Sequence, residues 1–380
     1  MTPPQLFTIA DIRNAGTANM DPKWAQYLNE GAMDLVTLKS NEAAFERYRI
    51  MPRILRDVAT VDMSTTLFGS KVSMPLGFSP AAMHCLAHPD GEVATSGAAA
   101  KAGIAMALSN WSTKSLEDVI AAGNEVGNGT PYAVQTSTGT PKPSIEELIR
   151  RADEAGYSAV LLTVDAPALG RRLNEYRNGV ELPTGMKFPN ISFDPSSFRG
   201  IKRDAASTFE TFLPWIASLV PPHMELWLKG IYTPEDVRIA ATYPFIRGII
   251  ISNHGGRQLD GAPATLEALP DCAAAVKSVN LSRSPENKLR IAIDGGIRRG
   301  SDIFKCLALG ADFCFVGRLA MWGLAYDGQR GVERALTLLN EELETCMKLA
   351  GCKTLADIGP ESLAVVEGGV PGLIHRLERL

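Results

Sequence analysis

The 380-residue sequence predicts a (β/α)8 TIM barrel, and three observations favour this α/β fold class. From residue 75 onward, short apolar runs recur eight times, as the buried parallel strands of a barrel require. Most intervals between the runs hold helix-like patterns, such as residues 144–155 and 233–241. Each run ends in a residue able to contact a ligand, which is typical of the C-terminal rim of such a barrel. A doubly wound sheet is the alternative, but no G-x-G-x-x-G motif opens a helix after the first run.

The eight runs predict the barrel strands, and the residues that follow them predict its rim. The runs are Leu76–Ser79, Ile104–Leu108, Tyr132–Gln135, Ala159–Val164, Leu226–Leu228, Gly248–Ile251, Arg290–Ile293 and Phe313–Val316. The rim residues are Ser79 and Pro80, Ser109, Gln135, Asp165, Lys229, Ser252, Asp294, and Gly317 with Arg318. One polar residue after a strand is usually part of a turn. A residue of this kind after every strand indicates one shared cavity.

Helical segments are expected before and after the barrel. Asp21 is a suitable N-cap for a helix that ends before Gly31, and Asn41 is expected to open a second helix. Residues 332–349 form a strongly amphipathic pattern that ends at Gly351. This last helix is expected to pack on the outer ring of the barrel or to form an oligomer contact.

The whole chain, residues 1–380, is interpreted as a single domain. Residues 1–70 supply an N-terminal helical segment, residues 71–330 the barrel, and residues 331–380 a C-terminal helical segment. Residues 175–215, between the fourth and fifth strands, are rich in Pro, Gly, Asn, Ser and Phe and show no sustained periodicity. Such an insertion at a rim predicts a lid.

Composition and charge narrow the function classes. The apolar fraction of 45% and the charged fraction of 21% are ordinary for a soluble globular protein. The net charge of −4 does not favour a nucleic-acid partner, and no apolar run reaches the roughly 20 residues of a membrane span. The start of the chain lacks a secretory signal, and the six cysteines form no C-x-x-C pair. A cytoplasmic protein without a metal site is therefore expected; the ending Glu378 to Leu380 fits a peroxisomal tripeptide poorly.

The stretch Ser252–Gln258 holds the candidate catalytic residues. His254 and Arg257 flank two glycines on the loop after the sixth run. An imidazole can take a proton near neutral pH, and a guanidinium can hold a carboxylate through two parallel hydrogen bonds. Together they indicate proton abstraction from an acid substrate. Asp165, after the fourth run, is either the partner that stabilises protonated His254 or a structural acid.

Glycines and arginines after the last two runs predict a phosphate site. The stretch Asp294–Gly300 contains two adjacent glycines and two arginines, and Gly317 and Arg318 follow the eighth run. Glycines let backbone N–H groups approach a phosphate, and arginines add charged hydrogen bonds. Lys229 either pairs with a carboxylate or holds a positive charge beside an electron-rich cofactor.

These motifs together resemble the FMN-dependent 2-hydroxy-acid dehydrogenase and oxidase family, the group of glycolate oxidase and lactate oxidase. The resemblance runs from about Ile9 to the final helix, and Ser252–Gln258 is its most specific part. Supporting matches are Pro52–Leu55, Pro80–Met83, Thr163–Asp165, Gly170–Arg172, Lys229-Gly230 and Asp294–Gly296. The resemblance implies an FMN-containing barrel that takes a hydride equivalent from C2 of the substrate and a proton from the same molecule.

Matched position by position, the resemblance also implies residue roles. His254 would be the base and Asp165 its partner, while Lys229 would stabilise the anionic reduced flavin ring. The residues implied around the substrate are Arg257 and Arg172 at its carboxylate, Tyr27, Trp111 and Ser137. The residues implied at the rest of the cofactor are Pro80, Ala81, Ala82, Ser109, Gln135, Thr163 and Ser252 near the ring, and Asp294, Gly296, Arg298, Gly317 and Arg318 at the ribityl phosphate.

Ser137 departs from the family pattern. It lies two residues beyond Gln135, where the family usually has a tyrosine. A serine hydroxyl does not reach as far as a phenol and leaves room for a larger substrate or for water. Glycolate and lactate are therefore less secure as substrates than the chemistry expected at His254.

Three functions remain as hypotheses. The leading one is a soluble flavoenzyme that oxidises a 2-hydroxy acid and passes electrons to oxygen or to a soluble carrier, as a homo-oligomer (a homotetramer by resemblance). The second applies the same base and flavin to a larger or cyclic amino-acid-like substrate in a biosynthetic pathway. The third is an FMN-binding barrel without turnover, which the intact set of His254, Arg257, Arg172, Asp165 and Lys229 disfavours.

Overall fold

The centre of the molecule is a closed barrel of eight parallel strands. The computed structural model describes residues 6–179, 181–194 and 205–366 and the strand Ile374–Arg376. In chain order the barrel strands are β1 (Leu76–Phe78), β2 (Ala105–Ser109), β3 (Tyr132–Ser137), β4 (Ala159–Thr163), β5 (Glu225–Ile231), β6 (Ile246–Ile251), β7 (Arg290–Asp294) and β8 (Phe313–Val316). Each strand pairs with the next, and β8 pairs with β1. The predicted TIM barrel is confirmed.

Helices connect the strands and flank the barrel. They span Ile9–Asn19, Pro22–Asn29, Val36–Ala43, Gly91–Ala102, Leu116–Asn124, Lys142–Ala155, Leu173–Arg177, Phe209–Leu219, Pro234–Ala241, Thr265–Val279, Gly300–Ala308 and Arg318–Ala350, with short 3-10 turns at Ala44–Arg47, His84–Leu86, Pro285–Asn287, Leu355–Asp357 and Pro360–Ser362. Outside the barrel, Tyr48–Ile50, Leu363–Val366 and Ile374–Arg376 form an antiparallel sheet, and Thr65–Leu67 pairs with Ser70–Val72. Within the described ranges, no helix is long and apolar enough to cross a membrane.

The N-terminal helices lie against the rim, and one predicted boundary is wrong. The helix Pro22–Asn29 begins after Asp21, whose side chain accepts a hydrogen bond from the backbone N–H of Lys23. Asn41 does not open a helix but lies near the end of Val36–Ala43. Its side chain is buried because it forms hydrogen bonds with a loop of the candidate site.

The predicted lid contains more regular structure than its composition indicates. The helices Leu173–Arg177 and Phe209–Leu219 extend into its two ends. Residue 180 and residues 195–204 of the predicted lid lie outside the described residues. The helix Phe209–Leu219 begins with a capping box at Thr208. This signal spans only four residues, and it was overlooked because the segment shows no long periodic pattern.

The amphipathic helix predicted over residues 332–349 is confirmed, and a shorter helical segment precedes it. Helical residues run from Arg318, directly after β8, to Ala350. Asp327 and Gly328 leave helical geometry, with φ of 53° at Gly328, and this bend separates the first turns from the predicted segment.

Large side chains fill the lower part of the barrel and leave the rim for the site. Trp227, Phe313 and Phe315 belong to a buried cluster with Phe68, which lies in the turn of the two-stranded hairpin. The ring of Phe68 packs edge-on against Trp227 at 5.5 Å. This aromatic packing fills one end of the barrel, so a ligand site is expected at the other end, where the strands end.

Candidate active site

One cavity at the strand ends collects nearly all of the predicted site residues. Those lining it are Tyr27, Pro80, Ala81, Ala82, Ser109, Trp111, Gln135, Ser137, Thr163, Arg172, Lys229, His254, Arg257, Asp294, Gly296, Arg298, Gly317 and Arg318. The other two, Asp165 and Ser252, lie directly behind the lining, where they contact His254 and Lys229. The predicted rim thus forms a single site, which follows from the parallel arrangement of the strands.

His254 and Asp165 form the pair that the sequence predicted. Nδ1 of His254 lies 3.0 Å from Oδ1 and 3.3 Å from Oδ2 of Asp165. His254, Gly255 and Gly256 all have positive φ, of 57°, 64° and 75°. The left-handed conformation is unfavourable for histidine and is found where surrounding structure enforces it, often at functional sites. The turn directs the ring into the cavity, which accounts for the 34% exposure of the side chain.

The catalytic loop is held in place by buried hydrogen bonds. The side-chain amides of Asn41 and Asn253 exchange two hydrogen bonds, of 2.9 and 2.8 Å. Asn253 Oδ1 also accepts a hydrogen bond from the N–H of Gly256 at 3.1 Å. Gly31 contacts the same loop so closely that a Cβ there would lie 2.3 Å from the carbonyl oxygen of Gly256. These contacts fix the loop that carries His254.

The electrostatics favour a neutral imidazole beside a carboxylate. Burial lowers the pKa of His254, and the negative charge of Asp165 offsets this only in part, while Lys229 and Arg172 lower it further. Burial raises the pKa of Asp165, but His254 and Lys229 outweigh it, so the net pKa is lowered. At neutral pH Asp165 therefore accepts the Nδ1–H of His254. The lone pair of Nε2 is left for a proton of a ligand in the cavity.

Two arginines share one buried carboxylate beside His254. Arg172 donates to Glu175 Oε1 at 2.9 Å, and the guanidinium of Arg257 lies 3.7 Å from the same oxygen. Arg257 also donates to the carbonyl oxygen of Tyr27 at 2.5 Å and stacks over its ring at 4.7 Å. Burial and the charge of Arg172 lower the pKa of Arg257 to about 10, so it remains a cation at neutral pH. One positive charge in excess over Glu175 suits a ligand carboxylate.

A second group of polar side chains in the site is arranged around Asp294. Its Oδ2 accepts a hydrogen bond from Ser79 at 2.7 Å and lies 3.4 Å from Nζ of Lys229. Lys229 in turn donates to Ser252 at 2.9 Å. Asp294 Oδ1 is buried and has no partner among the described residues. A buried acceptor of this kind requires a donor such as a sugar-alcohol hydroxyl.

A third group of side chains in the site is cationic. Arg298 donates to Glu42 at 2.9 Å, and its buried Nε has no partner in the described part of the chain. The guanidinium of Arg318 has five N–H groups, and each of its three nitrogens donates one of them to a carbonyl oxygen, of Leu28, Gly255 or Glu30. Two N–H groups therefore remain available to a ligand. Burial, followed by the charges of Arg257 and Arg298, holds the pKa of Arg318 well below its ordinary value. Such repulsion indicates an anion as the missing partner.

The donors and acceptors around the cavity fit FMN. The orphaned Asp294 Oδ1 suits a ribityl hydroxyl, and the unpaired N–H groups of Arg298 and Arg318 suit a phosphate. Gly317 immediately precedes the helix Arg318–Ala350, where free N–H groups and the helix dipole favour a phosphate. Lys229 would then lie on the ring side of Asp294.

Sequence reasoning missed several residues of the site. Asn110 lines the cavity directly after the predicted rim residue Ser109, and that adjacency could have revealed it. Leu169 and Met321 also line the cavity without a polar signal. Glu175 lies three residues after Arg172, one helical turn away, within a segment interpreted as irregular.

The site combines a histidine–carboxylate pair, two arginines that share one carboxylate, and a cationic phosphate pocket at the rim of a closed barrel. This combination defines a class of barrel enzymes that use a phosphorylated cofactor on an acid substrate. The chain matches the model of the FMN-dependent dehydrogenases over residues 17–365. It belongs to this family, as the resemblance in the sequence predicted, and its cofactor is FMN.

Similar proteins carry oxidase names. Oxidase FUB9 of Fusarium oxysporum f. sp. lycopersici is 49% identical over 96% of this chain and 92% of its own. Glycolate oxidase 3 of Arabidopsis thaliana is 40% identical over 87% of this chain and 89% of its own. Among solved structures, mandelate oxidase with benzoyl-formic acid has a TM-score of 0.83 at 34% identity, covering 96% of this chain and all of that one.

Proposed function

We propose that this enzyme oxidises a 2-hydroxy acid to the corresponding 2-oxo acid, with His254 as the base. The observation that carries the proposal is the His254–Asp165 pair, which faces the same cavity as two arginines with a net positive charge. Bound FMN supplies the acceptor for the hydride equivalent from C2. His254 takes the proton at Nε2, and Asp165 favours the resulting imidazolium.

The arginines would fix the substrate before proton transfer. Arg172 and Arg257 converge on one side of the cavity, where each charged hydrogen bond to a carboxylate contributes on the order of 1.5–3 kcal/mol. Tyr27, beneath the guanidinium of Arg257, would support the same carboxylate. A carboxylate held at two points leaves the substrate little rotational freedom, so one face of C2 is presented to the cofactor.

The cofactor contacts are also part of the proposal. Lys229 would lie beside the flavin ring, where its positive charge stabilises negative charge on the reduced form. The ring would be lined by Pro80, Ala81, Ala82, Ser109, Gln135 and Thr163, with Ser252 behind Lys229. Asp294 would bind the ribityl chain, and Gly296, Arg298, Gly317 and Arg318 the phosphate. The unpaired Oδ1 of Asp294 and Nε of Arg298 and the two remaining N–H groups of Arg318 support these contacts.

The purified protein is expected to be yellow, to release FMN on denaturation, and to bleach when a 2-hydroxy acid is added without oxygen. Readmission of oxygen should restore the colour, because relatives named oxidases indicate oxygen as the acceptor. Absorbance spectra of the native and the denatured protein measure the colour and the FMN release. An anaerobic screen of 2-hydroxy acids and cyclic amino acids, followed by absorbance, measures bleaching and its reversal by oxygen. A colourless protein that cannot be reconstituted with FMN would contradict the proposal, and bleaching reversed only by a soluble carrier would exclude oxygen.

A larger or cyclic amino-acid-like substrate is the second candidate. Ser137 favours it, because a serine in place of the usual tyrosine enlarges the side-chain end of the cavity. The base, the arginines and the cofactor contacts would act as described, and only the group beyond C2 would differ. The third hypothesis, a barrel without turnover, finds no support in a site so complete.

Ser137→Tyr is expected to improve oxidation of small 2-hydroxy acids, such as lactate, on the order of tenfold in kcat/KM. The phenol would fill space that a small substrate leaves to water. The rate of anaerobic flavin reduction against substrate concentration measures the effect. If the variant is no better with any small acid, Ser137 does not set substrate size.

Assembly and location complete the proposal. A homo-oligomer is supported by apolar side chains exposed on one segment, Ile54 at 80% and Leu55 at 100%. A cytoplasmic location remains the interpretation of the sequence alone.

A further inference from the structure

The end of β3 carries a polar arrangement that the proposed chemistry does not use. Along β3 side chains alternate, so Gln135 and Ser137 line the cavity while Thr136 between them faces away from it. Ser137 is followed by a turn in which the N–H of Thr140 donates to the carbonyl oxygen of Ser137 at 2.9 Å. This turn brings the two hydroxyl groups together, at 3.1 Å.

Asn110 extends the arrangement from the neighbouring strand. It follows β2, and its backbone N–H donates to the carbonyl oxygen of Gln135 at 3.0 Å. Its side-chain Nδ2 donates to Oγ1 of Thr140 at 3.2 Å. Asn110, Thr140 and Ser137 are all buried. They form a continuous hydrogen-bonded series, which we call the β3 relay.

The relay has a direction. An amide NH2 group has only hydrogens to give, so Thr140 Oγ1 accepts from Asn110. The hydrogen of Thr140 is then available to Ser137 Oγ, the hydroxyl that lies 3.1 Å away. Either hydroxyl can be the donor in this contact, but the Thr140 hydroxyl is buried and has no other acceptor among the described residues, whereas Ser137 lines the cavity and can give its hydrogen to a ligand. The end of the relay therefore presents an O–H donor to the ligand.

Apolar side chains also line the cavity that this donor faces. Trp111 lines the cavity beside Asn110 and packs edge-on against Phe188 at 5.5 Å. Leu169 and Met321 contribute further apolar lining. A ligand that covers the Ser137 hydroxyl without supplying an acceptor leaves a buried donor unpaired, so this hydroxyl favours ligands that carry an acceptor.

We propose that the β3 relay is a specificity subsite for a hydrogen-bond acceptor in the substrate's side chain, such as a ring nitrogen or an ether or carbonyl oxygen. The proposal rests on the proposed function, since it assumes that the carboxylate lies at Arg172 and Arg257. It adds the chemical class of the group beyond C2. The substrate would combine an apolar body with one acceptor directed at Ser137.

Isosteric ligands test this inference. Benzoylformate, which a structurally similar mandelate oxidase binds, is compared with its three pyridyl analogues, in which one ring CH becomes nitrogen. Dissociation constants are measured for the holoenzyme from changes in flavin absorbance, under mildly alkaline conditions that keep pyridine neutral. One isomer is expected to bind about tenfold more tightly than benzoylformate. The other isomers should bind more weakly than benzoylformate, because their nitrogen is desolvated without a partner.

Substitutions in the β3 relay then show whether its hydroxyl groups cause the preference for one pyridyl isomer. Ser137→Ala and Thr140→Val should each remove most of the tenfold preference, which is measured within each variant as the ratio of the dissociation constants of benzoylformate and the favoured pyridyl isomer. Thr136→Val is the matched control, since the Thr136 hydroxyl is buried, has no partner among the described residues and lies outside the cavity. It should retain the wild-type preference, which rules out a general disturbance of β3.

The outcomes separate this inference from the proposed function. Equal binding of all four acids, or a preference that survives both Ser137→Ala and Thr140→Val, overturns the subsite even if 2-hydroxy acids bleach the flavin. A clear preference lost in both variants supports the subsite, because binding is measured without turnover. The bleaching screen alone decides whether the enzyme oxidises 2-hydroxy acids.

Discussion

His254→Asn is expected to slow flavin reduction by roughly 10³- to 10⁴-fold, while the protein remains yellow. Asparagine can form hydrogen bonds but cannot take up a proton at neutral pH. It also tolerates the positive φ of 57° at this position better than most residues, so the loop should keep its shape. Anaerobic stopped-flow absorbance measures the reduction rate, and the FMN content of the purified variant shows that the site is intact.

The chain offers a matched control for this substitution. His223 also pairs with an aspartate, at 3.0 Å from Asp153, but its side chain is 65% exposed and lies outside the cavity. His223→Asn should leave the reduction rate unchanged. Reduction by His254→Asn at the wild-type rate would remove His254 from the role of base.

The sequence predicted the barrel well because its strands are buried on both faces. Such strands appear as plain apolar runs, and β8 was predicted at its full extent. The rim was predictable for a related reason: the end of each run marks the place where a parallel barrel exposes side chains to one cavity. His254 and Asp165 thus met as expected, although 89 residues separate them.

Contacts between distant polar residues were not predictable. The Asn41–Asn253 pair joins positions 212 residues apart, and neither asparagine has a local pattern that identifies its partner. The same asparagine looked like a helix start, since side-chain capping and tertiary hydrogen bonding use the same residue type. The role of Glu175 was not predicted, because it depends on the two arginines that Glu175 contacts, and one of them, Arg257, lies in a distant loop.

Asp165, the positioning residue behind His254, is expected to influence how the rate of flavin reduction depends on pH. Asp165→Asn should lower the maximal rate of flavin reduction about 10²- to 10³-fold, because an amide stabilises the imidazolium poorly and no longer selects the tautomer with Nδ1–H. The sign of the pH effect follows from the charges. In the wild-type protein, burial lowers the pKa of His254 and Asp165 raises it in part. Loss of the carboxylate therefore moves that pKa further down.

Because the neutral imidazole is the active form, the wild-type rate should fall only as pH drops through a His254 pKa below the ordinary value of 6.5. In Asp165→Asn this acid limb should shift to lower pH, on a plateau that is itself lower. A merely structural loss would reduce the plateau without moving the limb. Asp153→Asn, at the exposed His223 pair, should change neither quantity. A limb that moves to higher pH, or a wild-type plateau in Asp165→Asn, would show that the carboxylate does not act through His254. We expect a lower maximal rate together with a His254 that stays neutral to lower pH. This combination requires direct electrostatic coupling between Asp165 and His254 across their 3.0 Å contact.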